Sequence, residues 1–189
     1  MPRNCSPWPT RWAADVENLI SDTVLKLVPR WFYPAVTQAD LPPPKSPTEA
    51  LASIKVKPGF KVELVAAEPL VMDPIAIAWG ADGRLWVVEM GDYPLGADGK
   101  GASGGRIKIL ADSDDDGRYD SATLFLDGLN YPTGVMPWRK GVLISAAPNI
   151  LYAEDTDGDG KADVVRVLFT GFREGNQQHR LNGFELGLD

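Results

Sequence analysis

From Phe60 onward, the apolar residues come in short runs of Val, Ile, Leu and Trp, broken by Gly, Asp and Pro. Runs of this length between turn residues read as β-strands. The pattern predicts strands over Lys61–Val65, Ile75–Trp79, Arg84–Glu89, Arg106–Leu110, Ala122–Leu126, Val142–Ala146, Ile150–Ala153, Val164–Phe169 and Phe184–Leu186. The first 45 residues follow another period. Trp12, Val16, Leu19, Ile20, Val24, Leu27 and Val28 share one helical face, and Pro29 ends that helix. Two readings stand for it: a leader helix that docks elsewhere, or a start codon placed too far upstream. Leu41-Pro42-Pro43-Pro44-Lys45 is a stiff linker. Ser46 then serves as N-cap, Pro47 opens a short helix and Glu49 closes a capping box. The expected organisation is a helical and linker segment over 1–45 and a β domain over 46–189.

The β region repeats itself. Gly105–Asp112 (GRIKILAD) matches Pro148–Asp155 (PNILYAED), and Asp112–Asp120 (DSDDDGRYD) matches Asp155–Asp163 (DTDGDGKAD), both at an offset of 43. Asp82-Gly83-Arg84-Leu85-Trp86 matches Lys140-Gly141-Val142-Leu143-Ile144 at an offset of 58. A unit of roughly 40–50 residues with four strands is the size of a propeller blade. The fold class expected is therefore all-β, a partial β-propeller of about two blades plus the start of a third. The chain is expected to be a fragment whose remaining blades lie elsewhere in its parent.

The two offsets differ by 15 residues, which places an insertion between Met90 and Gly104. A smaller insertion lies between Gly171 and Gly183. In an antiparallel four-stranded unit, both insertions fall on the same rim and the Asp-rich loops fall on the opposite one. Long loops on one rim of a rigid scaffold are where sites are usually built.

Each Asp-rich loop carries Asp at positions 1, 3, 5 and 9 and Gly at position 6. These are Asp112, Asp114, Asp116, Gly117 and Asp120, then Asp155, Asp157, Asp159, Gly160 and Asp163. Alternating carboxylates around a Gly turn suit a hard cation such as calcium, with the carbonyls of Arg118 and Lys161 as position-7 ligands. Position 12 is Thr123 or Arg166, not Glu, so these are not EF-hands. A plain turn, where Asp and Gly are favoured without a cation, is the other reading.

Charge sharpens this picture. The net charge is −7. Residues 112–120 carry five Asp and one Arg, and residues 154–163 carry five acids and one Lys, so the acidity belongs to these two loops. That net charge argues against nucleic-acid binding, where a basic stripe is expected. There is one cysteine, Cys5, so the chain holds no internal disulfide and no c-type haem motif. No apolar run is long enough for a transmembrane helix. Leu19–Val36 is broken by Asp22, Lys26, Pro29 and Arg30, so no standard signal peptide is read.

His179 is the sole histidine. It lies in the second insertion, among Asn176, Gln177, Gln178, Arg180 and Asn182. A histidine on a polar loop at this rim can act as a general base, or it can simply pack a loop.

Four stretches together resemble a known family: Pro58–Pro69 (PGFKVELVAAEP), Asp82–Pro94 (DGRLWVVEMGDYP), Asp155–Asp163 and Gln178–Gly183 (QHRLNG). They resemble the large secreted proteins of planctomycetes and verrucomicrobia named as membrane-bound dehydrogenases. These begin with a propeller, and many carry helical repeats and a c-type haem domain. That propeller is similar to soluble glucose and sorbosone dehydrogenases, which use pyrroloquinoline quinone. The resemblance implies a sugar or alcohol substrate, a periplasmic or extracellular location and a catalytic His179, placed before Phe184 and Leu186 as in that family's His-x-x-x-x-Phe/Leu pattern. The alternative is a non-catalytic, calcium-stabilised propeller that binds carbohydrate or protein.

Overall fold

The computed structural model describes residues 42–188. The predicted helix over 12–28 lies outside them. Residues from Pro47 onward form one compact unit. This unit opens with the expected short helix, α1 (Pro47–Ser53). Eight strands follow: β1 (Pro74–Trp79), β2 (Leu85–Met90), β3 (Gly105–Ala111), β4 (Ser121–Leu129), β5 (Gly134–Trp138), β6 (Gly141–Ala146), β7 (Asn149–Glu154) and β8 (Val164–Thr170). They form two antiparallel four-stranded sheets, in the orders β1-β2-β3-β4 and β5-β6-β7-β8. The described residues are thus almost all β or loop.

The sheets pack face to face. One face of the first sheet, with Trp86, Val88, Ile107, Ile109 and Phe125, meets Val135, Val142, Ile144, Ala146, Leu151 and Ala153 of the second in a common buried core. Trp86 and Phe125 meet edge to face at 4.8 Å. The other face of the first sheet, with Leu85, Val87 and Leu110, is covered by Ala66, Leu70 and Val71 from the segment before β1. The outer face of the second sheet has no such cover among the described residues. On its outermost strand, β8, Leu168 is 41% exposed and Phe169 62%.

The ladders correct the repeat by one residue. Leu85 pairs with Leu110, and Val142 pairs with Ala153. Leu110 and Ala153 are 43 apart, while Leu85 and Val142 are 57 apart, not the 58 read from the turn glycines. The equivalent pairs Trp79↔Leu85 and Pro137↔Val142 enclose five residues in one sheet and four in the other, so aligning Gly83 with Gly141 slips the register. The insertion is accordingly 14 residues. One residue matters here because it swaps the two faces of a strand.

Three strand assignments also change. β5 was not among the predicted strands, because Pro137 interrupts it; the strand forms at a sheet edge, where proline's missing N–H is tolerated. Lys61–Val65 and Phe184–Leu186 lie outside both ladders. Each has the alternation of a strand but no neighbouring strand to pair with among the described residues.

Candidate functional site

The β2–β3 loop, the β4–β5 link and the stretch after β8 converge at one end of the two sheets. Gln178 Nε2 donates to the Tyr93 hydroxyl at 3.0 Å, joining the two insertions across 85 residues of sequence. The Asn130 amide donates to Glu174 Oε1 at 2.8 Å. The Tyr131 hydroxyl donates to the Pro94 carbonyl at 3.2 Å. The Arg180 guanidinium lies 4.5 Å from the Tyr131 ring and donates twice to the Glu174 carbonyl. Thr133 Oγ1 donates to the Leu181 carbonyl.

Asp92 holds these loops together. It is fully buried at the start of the β2–β3 loop. Its Oδ2 accepts from Tyr131 N at 2.7 Å and from Gly104 N at 3.4 Å, so one carboxylate ties the loop's far end to the β4–β5 link. Three residues earlier, Glu89 is also fully buried. It accepts from Met72 N at 2.8 Å and is ion-paired with Lys108 Nζ at 2.9 Å and Arg106 Nε at 3.0 Å. A buried carboxylate without such partners would cost several kcal/mol. Sequence reasoning missed both residues. Their signal is a Glu and an Asp three apart at the end of an otherwise apolar run.

His179 sits on this rim, at the end of a 3-10 turn over Gln177–His179. Asn176 caps that turn, its Oδ1 accepting from Gln178 N at 2.9 Å. The His179 ring is exposed, and its Nδ1 lies 3.5 Å from the Asn176 amide nitrogen. A ring nitrogen in this setting is open to an incoming hydroxyl.

The Asp-rich loops lie at the other end of the sheets, between β3 and β4 and between β7 and β8. The structure gathers Asp112, Asp114 and Asp116 into one group, and Asp155, Asp157 and Asp159 into another, with carboxylate oxygens within 4.8 Å of one another. Backbone amides organise each group. Asp155 accepts from Gly158 N and Gly160 N, at 2.7 and 2.8 Å. Asp159 accepts from Lys161 N, and Asp116 from Arg118 N, both at 2.8 Å. Partial desolvation acts upward on Asp112, but amide hydrogen bonds led by Gly117 and Asp116 outweigh it and lower its pKa.

The ninth-position residues do something else. Asp163 Oδ2 accepts from Thr156 N at 2.7 Å and Thr156 Oγ1 at 2.8 Å, and these bonds lower its pKa. Asp120 Oδ2 accepts from Ser113 Oγ. Asp120 and Asp163 therefore staple the loop ends and stand apart from the two groups of three. The side chains of Arg118 and Lys161 are exposed.

Fold and loops define, among the described residues, a mostly β unit built on a repeated four-stranded antiparallel sheet, with long polar loops at one end and acidic loops at the other. Residues 46–189 match a domain of unknown function, DUF7133, and the chain belongs to that family. No curated protein and no solved structure matches it.

Proposed function

We propose that this unit is a stretch of a β-propeller whose long-loop rim binds a hydroxylated small molecule, a sugar or an alcohol. His179 is the group that receives a hydroxyl proton in a longer, dehydrogenase-like parent of the periplasm or cell exterior. The observation that carries this reading is the Tyr93–Gln178 hydrogen bond, which sets the exposed His179 turn against the β2–β3 insertion. Around it, Tyr93, Asn130 and Gln178 supply the neutral donors and acceptors that suit hydroxyl groups. Two sheets of identical strand order, packed face to face with matching register, support the propeller.

The quinone implied by the family resemblance carries three carboxylates and needs several free cations. Among the described residues of this rim, Arg106 is paired with Glu89 and Arg180 is engaged with Glu174 and Tyr131, which leaves the exposed Lys100 and Arg173. Two cations on separate loops are fewer than the quinone's three carboxylates, so the described residues fit it only in part and no step is routed through it. The second reading is a non-catalytic module, stabilised by calcium, that binds carbohydrate or protein. The two carboxylate trios favour its calcium part: Asp112, Asp114 and Asp116, and Asp155, Asp157 and Asp159, would hold the ions.

A panel of monosaccharides and polyols titrated into the isotopically labelled chain tests the rim. Expected are amide shifts at Tyr93, Asn130, Gln178 and His179, weakened in His179→Ala. Shifts confined to the Asp-rich loops, or none at all, refute the reading. Dye reduction by a longer parent supplied with quinone and calcium, if unchanged by His179→Ala, rejects the catalytic role and leaves binding alone.

A further inference from the structure

The second sheet's Asp-rich loop rests on the first sheet at a defined place. Ala162 N donates to the Phe125 carbonyl at 2.9 Å. A Cβ on Gly160 would come within 2.9 Å of Thr123 Cγ2, so the glycine lets the loop sit down on β4. The ladders transfer this seat to the second sheet without ambiguity. Ile109 pairs with Thr123, and Tyr152 pairs with Arg166, at the same offset of 43. Arg166 thus stands where Thr123 stands, and Leu168 where Phe125 stands.

On the second sheet the place is open. It forms a groove of about 440 Å³ lined by Trp138, Arg139, Lys140, Tyr152, Arg166 and Leu168. Arg139 lies over the Trp138 ring at 4.2 Å. The groove's one acid, Glu154, accepts from the Tyr152 hydroxyl at 2.7 Å. Three cations therefore outweigh one carboxylate, in a chain whose net charge is −7. Where Thr123 receives a loop on the first sheet, the second presents a basic surface with an aromatic floor.

We infer that this groove is the seat of an Asp-rich loop from a further sheet of the same repeat. The inference rests on the propeller reading above. A second copy of this unit does not fit, because both of its own loops are already seated. Tyr119 N donates to the Val65 carbonyl at 2.8 Å, and Tyr119 and Ala162 are 43 residues apart, so this bond is the first loop's counterpart of Ala162 to Phe125. A free acidic loop must come from another sheet. Opposite charges on loop and groove fix which surfaces meet.

The probe is a synthetic peptide with the sequence of residues 154–164, its ends joined, since Glu154 and Val164 are paired in the ladder. It is incubated with the intact chain at low salt and coupled with a zero-length carbodiimide. Coupling to Lys140 should exceed that of a scrambled cyclic peptide by roughly five-fold or more and should fall with added salt. Arg166→Glu, an exposed position, should abolish the excess without changing the melting temperature. Equal coupling by the scrambled peptide, or full coupling to Arg166→Glu, overturns the inference. If that happens while the Tyr119 and Ala162 amides remain protected from exchange, the seat is refuted and the repeat stands. Loss of that protection removes both.

Discussion

The two sheets are built to one plan but live in different surroundings. Ile107 of β3 and Ile150 of β7 are the same residue at equivalent ladder positions. Ile107 is fully buried between the sheets, while Ile150 is only partly buried on the outer face of the second. Phe125 is 3% exposed, and its counterpart Leu168 is 41%. Glu89 is buried in a cluster of charges, where the second sheet has Ala146. The difference shows that the strand order belongs to the repeat and the burial belongs to the neighbours. Features found in one sheet only, such as Glu89, Asp92 and the long β2–β3 loop, are where the repeat has been adapted for something besides packing.

Unequal costs at equal positions test that comparison most strongly. Glu89→Ala leaves Lys108 and Arg106 without their partner and should cost about 3–5 kcal/mol in denaturant melts. Ile107→Ala should cost about 2–5 kcal/mol, while Ile150→Ala should cost well under half of that. Equal losses at 107 and 150 would break the contrast between the faces.

A calcium titration tests the two rims separately. If the carboxylate trios hold calcium as proposed, saturation at roughly 100 times the dissociation constant should add about 2.7 kcal/mol and raise the melting temperature. Asp157→Ala should blunt the rise and His179→Ala should not, because His179 lies on the other rim. An equal rise in Asp157→Ala refutes a cation in the second loop.

Acid should act on the same loops by a smaller amount. The Thr156 bonds lower the folded pKa of Asp163 below its ordinary 3.8. A depressed carboxylate stabilises above the unfolded value and loses that contribution as pH falls through the folded one. Stability should therefore be flat from pH 5 to 8 on this account and decline only below about pH 4. Thr156→Val should flatten that acid decline, as measured by melts across pH.

Much of this was legible in the chain. Short apolar runs between Gly, Asp and Pro gave seven of the eight strands, because turn chemistry and alternation act locally. The 43-residue repeat exposed the insertion, and antiparallel order alone put both long loops at one end. What escaped depends on partners. β5 hides behind Pro137, which only an edge position allows. Lys61–Val65 alternates like a strand but has no strand beside it to pair with among the described residues. The one-residue slip came from aligning turn glycines, whereas register is set by which side chains face the core. Around the site, His179 was visible as a lone histidine among amides. Asp92 was not, because its role depends on Tyr131 and Gly104, distant in sequence.

Amide hydrogen exchange at two residues tests the central claim, that one unit recurs and each Asp-rich loop is bonded to an earlier segment outside its own sheet. Tyr119 N and Ala162 N are bonded to the carbonyls of Val65 and Phe125, outside their own sheets. Both amides should exchange at least ~100-fold more slowly than an unstructured chain. Protection at Ala162 with free exchange at Tyr119 would contradict the account, since the first loop would then have no seat and the repeat would reduce to a single packed pair of sheets.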